Sequence, residues 1–247
     1  MMVTICCCER DCHSPFFVTL DCQHYTAAHC ARFVHHPLRL FLLQSLHADP
    51  NQYSLIFTGT GVTGAIWKLI AILGIHCPPQ LQPCLDMNHP DMERPLILCS
   101  QAEHHSNELM WHETIADVIS VPSDETGSLD LEFLRRTLED SKDKYNLIIG
   151  SFTAGSNVTG LVTKPKPVAD LMHEYGGYIC FDYAGAGPYK DMRMVLNESG
   201  DSYLDAIFIS PHKFVGGPGT PGLLCIRREL ANVRNGLDAP PTIAGGG

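Results

Sequence analysis

The sequence predicts an α/β domain in which a mostly parallel sheet is covered by helices on both faces. From about residue 38 onward, short apolar segments alternate with longer segments of helical periodicity. That alternation is typical of a parallel sheet with crossover helices. The hydrophobic fraction is 45% and the charged fraction 18%, an ordinary globular balance. The 247 residues are enough for one large domain or two small ones.

The individual elements are predicted from periodicity and from the residues at their ends. Apolar residues lie three or four positions apart on one face of the second predicted helix, which Gly74 ends, and Ser128 is expected to open the fourth. The predicted helices span residues 38–47, 62–73, 106–112, 129–140 and 167–175. The predicted strands are short apolar runs at residues 54–57, 96–99, 118–121, 147–151, 178–181, 206–210 and 223–226.

Composition and charge exclude several classes of function. The net charge of −10 argues against non-specific binding to nucleic acid. No apolar run approaches the ~20 residues of a membrane-spanning helix, and Glu9, Arg10 and Asp11 interrupt what would be a signal peptide. Many of the 11 cysteines lie in or beside apolar segments, where free thiols pack as small hydrophobes. We therefore expect a cytoplasmic protein with reduced cysteines.

The first 37 residues differ in composition from the rest and are predicted to be an atypical N-terminal extension. Cysteine and histidine are frequent there, which raises the alternative of a zinc site. No Cys-x-x-Cys pair recurs at zinc-finger spacing, so we predict no metal. The residues concerned are Cys6, Cys7, Cys8, Cys12, Cys22, Cys30, His13, His24 and His29.

A glycine-rich turn, residues 57–64, follows the first predicted strand and opens a helix. Unpaired amides and the helix dipole make such a turn an anion site, so Gly61, Val62 and Thr63 are candidate phosphate ligands. The glycines also match G-x-G-x-x-G, the dinucleotide fingerprint. That alternative requires a strand ending in an acid about 20 residues further on. Asp86 is in range, but three prolines interrupt the segment before it.

A second motif, Ser210-Pro211-His212-Lys213, follows the apolar strand at residues 206–210 and is itself followed by a glycine-rich segment. A lysine placed just past a buried strand among small residues is open to desolvation. Desolvation favours the neutral amine, which condenses with aldehydes. Ser210 and His212 offer donors to an anion. The alternative is a solvated loop lysine.

Polar residues also follow three other predicted strands. Asp182 and Ala184 lie at the end of the strand at residues 178–181, and a buried carboxylate there needs a cationic partner. His104 lies in Glu-His-His-Ser-Asn, where an imidazole could stack on a flat cofactor or move protons. A histidine pair also fits a metal, but no third ligand is apparent. Asn157 could bind a ring substituent, or it could be a turn residue.

All of these segments fall where a strand ends, and such ends converge on one crevice in an open α/β sheet. Their order along the chain resembles that of the class V aminotransferases, which include cysteine desulfurases and selenocysteine lyases. The resemblance runs from Phe57 to Gly222. It implies the three-layer α/β/α large domain of a pyridoxal 5'-phosphate (PLP)-dependent transferase. With the alternation above, it implies a sheet of about seven strands.

The resemblance also implies a role for each candidate residue. Lys213 would form the internal aldimine with PLP and then move the substrate α-proton, Asp182 would pair with the pyridine nitrogen, and His104 would stack on the ring. Asn157 would lie near the ring hydroxyl. The remaining cofactor-binding residues would be Gly61, Val62, Thr63, Ala184, Ser210 and His212. The expected protein is a homodimer that acts on an amino acid as a desulfurase, lyase or transaminase.

The sequence departs from the family pattern in two places. Gly185 stands where desulfurases usually carry a glutamine that contacts the ring hydroxyl. The chain also reaches Gly247 without the small C-terminal domain that holds the substrate-carboxylate arginine and the persulfide-forming cysteine. We therefore expect a PLP-binding large domain over residues 38–247 with that small domain absent. The alternatives are a catalytically incomplete fragment or pseudoenzyme and, second, an NAD(P)-binding Rossmann protein.

Overall fold

A seven-stranded sheet forms the centre of the molecule. The computed structural model describes residues 27–85 and 93–233, with side chains from residue 36 onward. The strand order is β1-β7-β6-β5-β4-β2-β3. Strand β7 is antiparallel to both of its neighbours, and the other neighbouring pairs are parallel. The strands are β1 Tyr53–Phe57, β2 Leu96–Ser100, β3 Asp117–Val121, β4 Ile148–Thr153, β5 Tyr178–Asp182, β6 Ala206–Ile209 and β7 Leu223–Arg227.

Helices cover both faces of the sheet. Helices α1, α3 and α4 pack on one face and α2 and α5 on the other, and each face has its own apolar core. Successive residues of a strand alternate between the two cores, as the pleat requires; Phe181 faces one core and Cys180 the other. The α-helices are α1 Ala27–Ser45, α2 Gly61–Leu73, α3 Leu131–Ser141, α4 Pro165–Glu174 and α5 Arg228–Ala231. The predicted three-layer α/β/α class is confirmed.

Three predicted helices differ from the observed ones. Helix α1 continues through residue 37, where the sequence analysis places the boundary between the N-terminal extension and the large domain. The division into these two parts stays a prediction. Helix α3 begins at Leu131 and is capped by Asp130, whose carboxylate accepts from two amides, so the expectation that Ser128 opens it was wrong. The helix predicted at residues 106–112 is replaced by two short 3-10 turns, His105–Asn107 and Trp111–Glu113.

Some expectations concern residues that lie outside the described part of the chain. The cysteines and histidines of the predicted N-terminal extension belong to this group, and so does Asp86. The residues just before Asp86 form a 3-10 turn, Gln82–Cys84, where the dinucleotide alternative requires a strand. Among the described residues, no helix is both long and apolar enough to cross a membrane. In that same part, no three metal-ligating side chains are grouped to hold an ion.

The parallel strands all end at one edge of the sheet, here called the carboxyl edge. The segments that follow β1, β2, β4, β5 and β6 lie there, and β7 begins there because it runs in the opposite direction. These five segments carry the candidate residues predicted above. The topology therefore gathers side chains that are far apart in the sequence.

Candidate active site

The glycine-rich turn leads from β1 into α2. Helix α2 begins at Gly61, and Thr60 before it makes no side-chain capping hydrogen bond. The Val62 amide donates to the hydroxyl of Ser210, 2.9 Å away and buried. Because Val62 uses the oxygen of Ser210 as acceptor, the Ser210 hydroxyl proton remains free to donate elsewhere. The turn after β1 and the end of β6 are thus joined into one polar surface.

Close packing around Gly61 shapes this surface. A Cβ added at Gly61 would lie 2.5 Å from Cε1 of His212 and 2.8 Å from Oγ of Ser210, and the backbone has φ +54°. From the other side, a Cβ at Gly222 would lie 2.0 Å from the Gly61 carbonyl oxygen. Glycine is required at both positions because the backbone approaches other groups too closely for a side chain. The buried hydroxyl of Thr58, also beside Gly222, has no hydrogen-bond partner in the described part of the chain.

Lys213 ends a 3-10 turn, Pro211–Lys213, directly after β6. Its side chain and that of His212 are exposed, so this chain does not bury the amine as the sequence led us to expect. The following loop folds back on the turn, because a Cβ at Gly217 would lie 1.9 Å from the Pro211 carbonyl oxygen. The loop then joins the glycine-rich turn through the Gly222 amide, which donates to the Gly59 carbonyl at 2.8 Å.

Asp182 is the last residue of β5 and is buried. The Ala184 amide donates to its Oδ1 at 2.7 Å. Burial raises the pKa of Asp182 to about 6, and the Ala184 hydrogen bond, Lys213 and His104 act in the opposite direction. The structure therefore brings Lys213 and His104 within electrostatic reach of the Asp182 carboxylate. Ala184 serves the site through its backbone.

His104 lies in the segment after β2 and is exposed. Its Nδ1 accepts from the Ser106 amide at 3.2 Å and lies 2.7 Å from the Ser106 hydroxyl. An Nδ1 that accepts a hydrogen bond carries no proton in the neutral ring, so the proton is on Nε2. The ring is therefore held at one nitrogen and presents the other as a donor.

Thr63 and Asn157 are also at the carboxyl edge, and both are exposed. Asn157 lies in the turn that follows β4, where the Ser156 hydroxyl accepts from the amides of Val158 and Thr159. Gly185 packs against this segment, since a Cβ there would lie 3.3 Å from the Gly155 carbonyl oxygen. The structure places Asn157 on the same rim as the other candidates.

Two residues that the sequence did not single out complete the site. Glu103 accepts hydrogen bonds from the ends of β2 and β4, and Asn107 is fully buried beneath it. Burial raises the pKa of Glu103 to about 7, and the Asp182 carboxylate contributes in the same direction. Both residues stand in the Glu-His-His-Ser-Asn motif. Their positions, as the polar first and last residues of that motif, were the one local sequence signal that could have identified them.

Comparison with known proteins agrees with the fold. The sequence profile described as aminotransferase class-V matches residues 88–247. A probable cysteine desulfurase of Chlamydia muridarum is 34% identical over 158 residues, which make up 61% of this chain and 34% of the relative. A probable glycine dehydrogenase (decarboxylating) subunit 2 of Alkaliphilus oremlandii is 28% identical over 147 residues, 57% of this chain and 28% of the relative.

Among solved structures, a NifS-like protein from Rickettsia africae superposes with a TM-score of 0.65 at 18% identity, and the match covers 91% of this chain and 53% of that one. At this identity the likeness shows the fold. The match spans about a third of the length of the two curated relatives and about half of the solved structure. The family profile matches well over half of the 247 residues. The chain therefore belongs to the class-V aminotransferase family.

Proposed function

We propose that residues 38–247 form the cofactor-binding domain of a PLP-dependent enzyme that acts on an amino acid, with Lys213 as the amine that binds the cofactor. The observation that carries the proposal is the buried carboxylate of Asp182, which has one amide donor and lies within the electrostatic reach of a lysine and a histidine. A buried carboxylate of this kind is stabilised by a further cation. A protonated pyridine nitrogen is such a cation.

The other donors fit the remaining parts of PLP. The start of α2 has no side-chain cap, and the Ser210 hydroxyl proton is free. Helix amides, this hydroxyl and the His212 imidazole make a donor set for a phosphate. The close packing at Gly61 keeps the Ser210 hydroxyl and the His212 imidazole against the backbone at the start of α2. The residues present therefore fit the cofactor at both its ring and its phosphate.

Bound PLP supplies an electron sink that stabilises negative charge on the substrate carbon. The chain supplies binding and proton transfer. Asp182 would hold a proton on the ring nitrogen, and His104 would lie over the ring with its Nε2 available as a hydrogen-bond donor. The Lys213 amine, which is exposed and on a flexible stem, would carry the substrate α-proton. Desulfurase, lyase and transaminase reactions share these steps, and relatives of the chain are named as cysteine desulfurases.

We also propose that the protein works as a homodimer. The carboxyl edge exposes large apolar side chains close to the candidate residues, namely Val158, Tyr189 and Val215. Exposed apolar groups around a polar site are suited to burial in an interface. A second subunit seated there would also cover Lys213 and exclude water from it, which this chain alone does not do.

Titration with PLP tests the proposal directly. The purified protein should develop the visible absorbance band of lysine-bound PLP, and Lys213→Ala should remove it. Lys190→Ala is the matched control, because Lys190 is an exposed lysine in the loop after β5 at the same edge. After borohydride reduction, mass spectrometry should find the adduct on the peptide that contains Lys213. A parent protein without the band, or an adduct on another lysine, would refute the proposal.

Turnover separates the enzyme from the alternative of a pseudoenzyme. A protein that binds PLP through Lys213 and exchanges the α-proton of an added amino acid with solvent supports the enzyme. A protein that binds PLP through Lys213 but leaves every common amino acid unchanged supports the catalytically incomplete alternative.

A further inference from the structure

Glu103 joins the ends of two strands beneath the candidate site. Its Oε1 accepts from the Ser100 hydroxyl at 2.5 Å and from the Thr153 amide at 2.7 Å. Its Oε2 accepts from Nδ2 of Asn107 at 2.7 Å. Ser100 is the last residue of β2 and Thr153 the last of β4. One carboxylate thus binds a donor on each of these strands and a third within its own segment.

Asn107 extends this connection into the core. Its side-chain oxygen accepts from the Ser151 hydroxyl at 2.6 Å and from the indole N–H of Trp111 at 3.3 Å. Its Nδ2 also lies 3.3 Å from the Ser151 carbonyl oxygen. Asn107 and Trp111 are fully buried. Every polar atom of the Asn107 side chain is therefore used, and exchanging its oxygen and nitrogen would leave the Trp111 N–H facing a donor.

His104 lies between these two anchored residues. Its backbone follows Glu103 directly, and its Nδ1 is held by Ser106, just before Asn107. Neither end of the segment can shift without breaking bonds to β4. Thr153, which donates to Glu103, is paired in the sheet with Asp182. The same bond that fixes the segment thus sets its distance from the Asp182 carboxylate.

We propose that Glu103 is a positioning residue: its carboxylate fixes the segment after β2 to β4, so that the His104 ring stays over the group bound at Asp182. The inference rests on the proposed function for what lies beneath the ring, but the placement of His104 can be tested without a cofactor. The hydrogen bonds of Glu103 go to Ser100, Thr153 and Asn107, so the role that we propose for it is exerted through His104.

Glutamine cannot replace the carboxylate without loss. Ionised Glu103 accepts at both oxygens, whereas a glutamine amide accepts at one end and donates at the other. If the glutamine oxygen pointed toward Thr153, the glutamine nitrogen would face Nδ2 of Asn107. If the amide were rotated by half a turn, the glutamine nitrogen would face the Thr153 amide instead. In each orientation one buried donor loses its acceptor, and the segment has to move to relieve the contact.

The test is run at about pH 9, where Glu103 is ionised despite its raised pKa. It compares Glu103→Gln with Glu125→Gln, which removes the same charge from an exposed position in the loop after β3. In the PLP-free protein, long-range ¹H–¹⁵N spectra report the tautomer of each histidine, and His104→Gln assigns the His104 signals. The parent and Glu125→Gln should show His104 with its proton on Nε2. Glu103→Gln should show a shifted signal or a mixture of tautomers. His104 signals that are the same in Glu103→Gln as in the parent would overturn the proposal.

A second arm uses the PLP-loaded protein. Glu103→Gln should keep Lys213-bound PLP, but the circular dichroism of the visible band should fall. Exchange of the substrate α-proton should slow roughly tenfold, since a misplaced group loses much of its effect. Equal dichroism in Glu103→Gln and Glu125→Gln would contradict the role. A parent that binds no PLP would refute the proposed function and leave the histidine spectra as the test of positioning.

A milder variant covers the case in which Glu103→Gln does not fold. Ser100→Ala removes one donor to Oε1 and leaves the charge and the Thr153 bond in place. Its His104 signals should shift in the same direction as expected for Glu103→Gln, by a smaller amount. Unchanged His104 signals in a folded Ser100→Ala protein would then count against the proposal.

Discussion

Replacing Gly61 with alanine should damage the start of α2 in a way that can be calculated from the structure. A residue with a side chain at φ +54° is held in the left-handed region, which costs roughly 1–2 kcal/mol. The added Cβ would lie 2.8 Å from Oγ of Ser210. That hydroxyl is buried and already bonded to the Val62 amide, so it cannot move without losing the bond, at about 0.5–1.5 kcal/mol.

The contact with His212 should add little to the free energy of unfolding. Cε1 of His212 would be 2.5 Å from the Cβ, but the side chain is exposed and can rotate away. We therefore expect Gly61→Ala to lower the free energy of unfolding by about 2–3 kcal/mol. The melting temperature should fall by roughly 4–12 °C for a chain of this size. Affinity for PLP or inorganic phosphate should fall as well, because the rotated His212 and displaced Ser210 are the proposed donors.

Gly59→Ala is the matched control within the same turn. A Cβ at Gly59 would meet no atom within 4 Å, and the backbone there is outside the left-handed region. Its free energy of unfolding should stay within about 0.5 kcal/mol of the parent. Urea unfolding of the parent and both variants, followed by circular dichroism, measures the difference. If Gly61→Ala unfolds like Gly59→Ala and binds phosphate equally well, the reasoning about the crowded turn is wrong.

Two further substitutions test the electrostatics of the site and the start of α3. Burial raises the pKa of Asp182 to about 6. The folded protein therefore binds the Asp182 proton more tightly than the unfolded chain does. The stability that this proton contributes is lost as pH rises from about 4 through 6. Asp182→Asn should therefore stabilise the PLP-free protein by on the order of 1–3 kcal/mol at pH 8 and by less at pH 5; equal differences in urea unfolding at both pH values would contradict this. Asp130→Ala should cost about 1 kcal/mol because it removes the cap of α3, whereas Ser128→Ala should unfold nearly as the parent does, and the reverse order would restore Ser128 as the cap.

The sheet could be predicted from the sequence because its strands are buried on both faces. Each reads as a short continuous apolar run, and seven such runs correspond to the seven observed strands. The helices that cover the sheet keep a strong apolar periodicity, and Gly74 ends α2 in the left-handed conformation, as predicted. Strands and helices that are stabilised by burial of a continuous apolar run or an apolar helix face can be recognised from their own sequence. These elements determine the fold.

The failures occurred where a distant contact overrides the local pattern. Residues 106–112 have the spacing of a helix, but the Asn107 side chain is drawn to Ser151, 44 positions away, and the segment forms two 3-10 turns instead. Glu103 was passed over for the same reason, because its acceptor role depends on Thr153, 50 positions away. At α3, the sequence analysis expected Ser128 to open the helix, two positions before the observed cap, Asp130. Ser128 instead takes part in a turn with Asp124, to which its amide donates.

A comparison of two buried aspartates explains why the carboxyl edge, and not the opposite edge, is the candidate site. Asp205 lies just before β6 and pairs with His173 at 2.9 Å, while its Oδ2 also accepts from the Ile179 amide at 2.8 Å. That carboxylate has both a histidine and a backbone donor bonded directly to it, so it ties α4 to the sheet. Asp182 is as buried but has one amide donor, and Lys213 and His104 act on it through space. Within the described part of the chain no cation is hydrogen-bonded to it, which is the condition that the proposed pairing with a ring nitrogen requires. Sequence alone could not separate the two, because each is an aspartate beside an apolar strand.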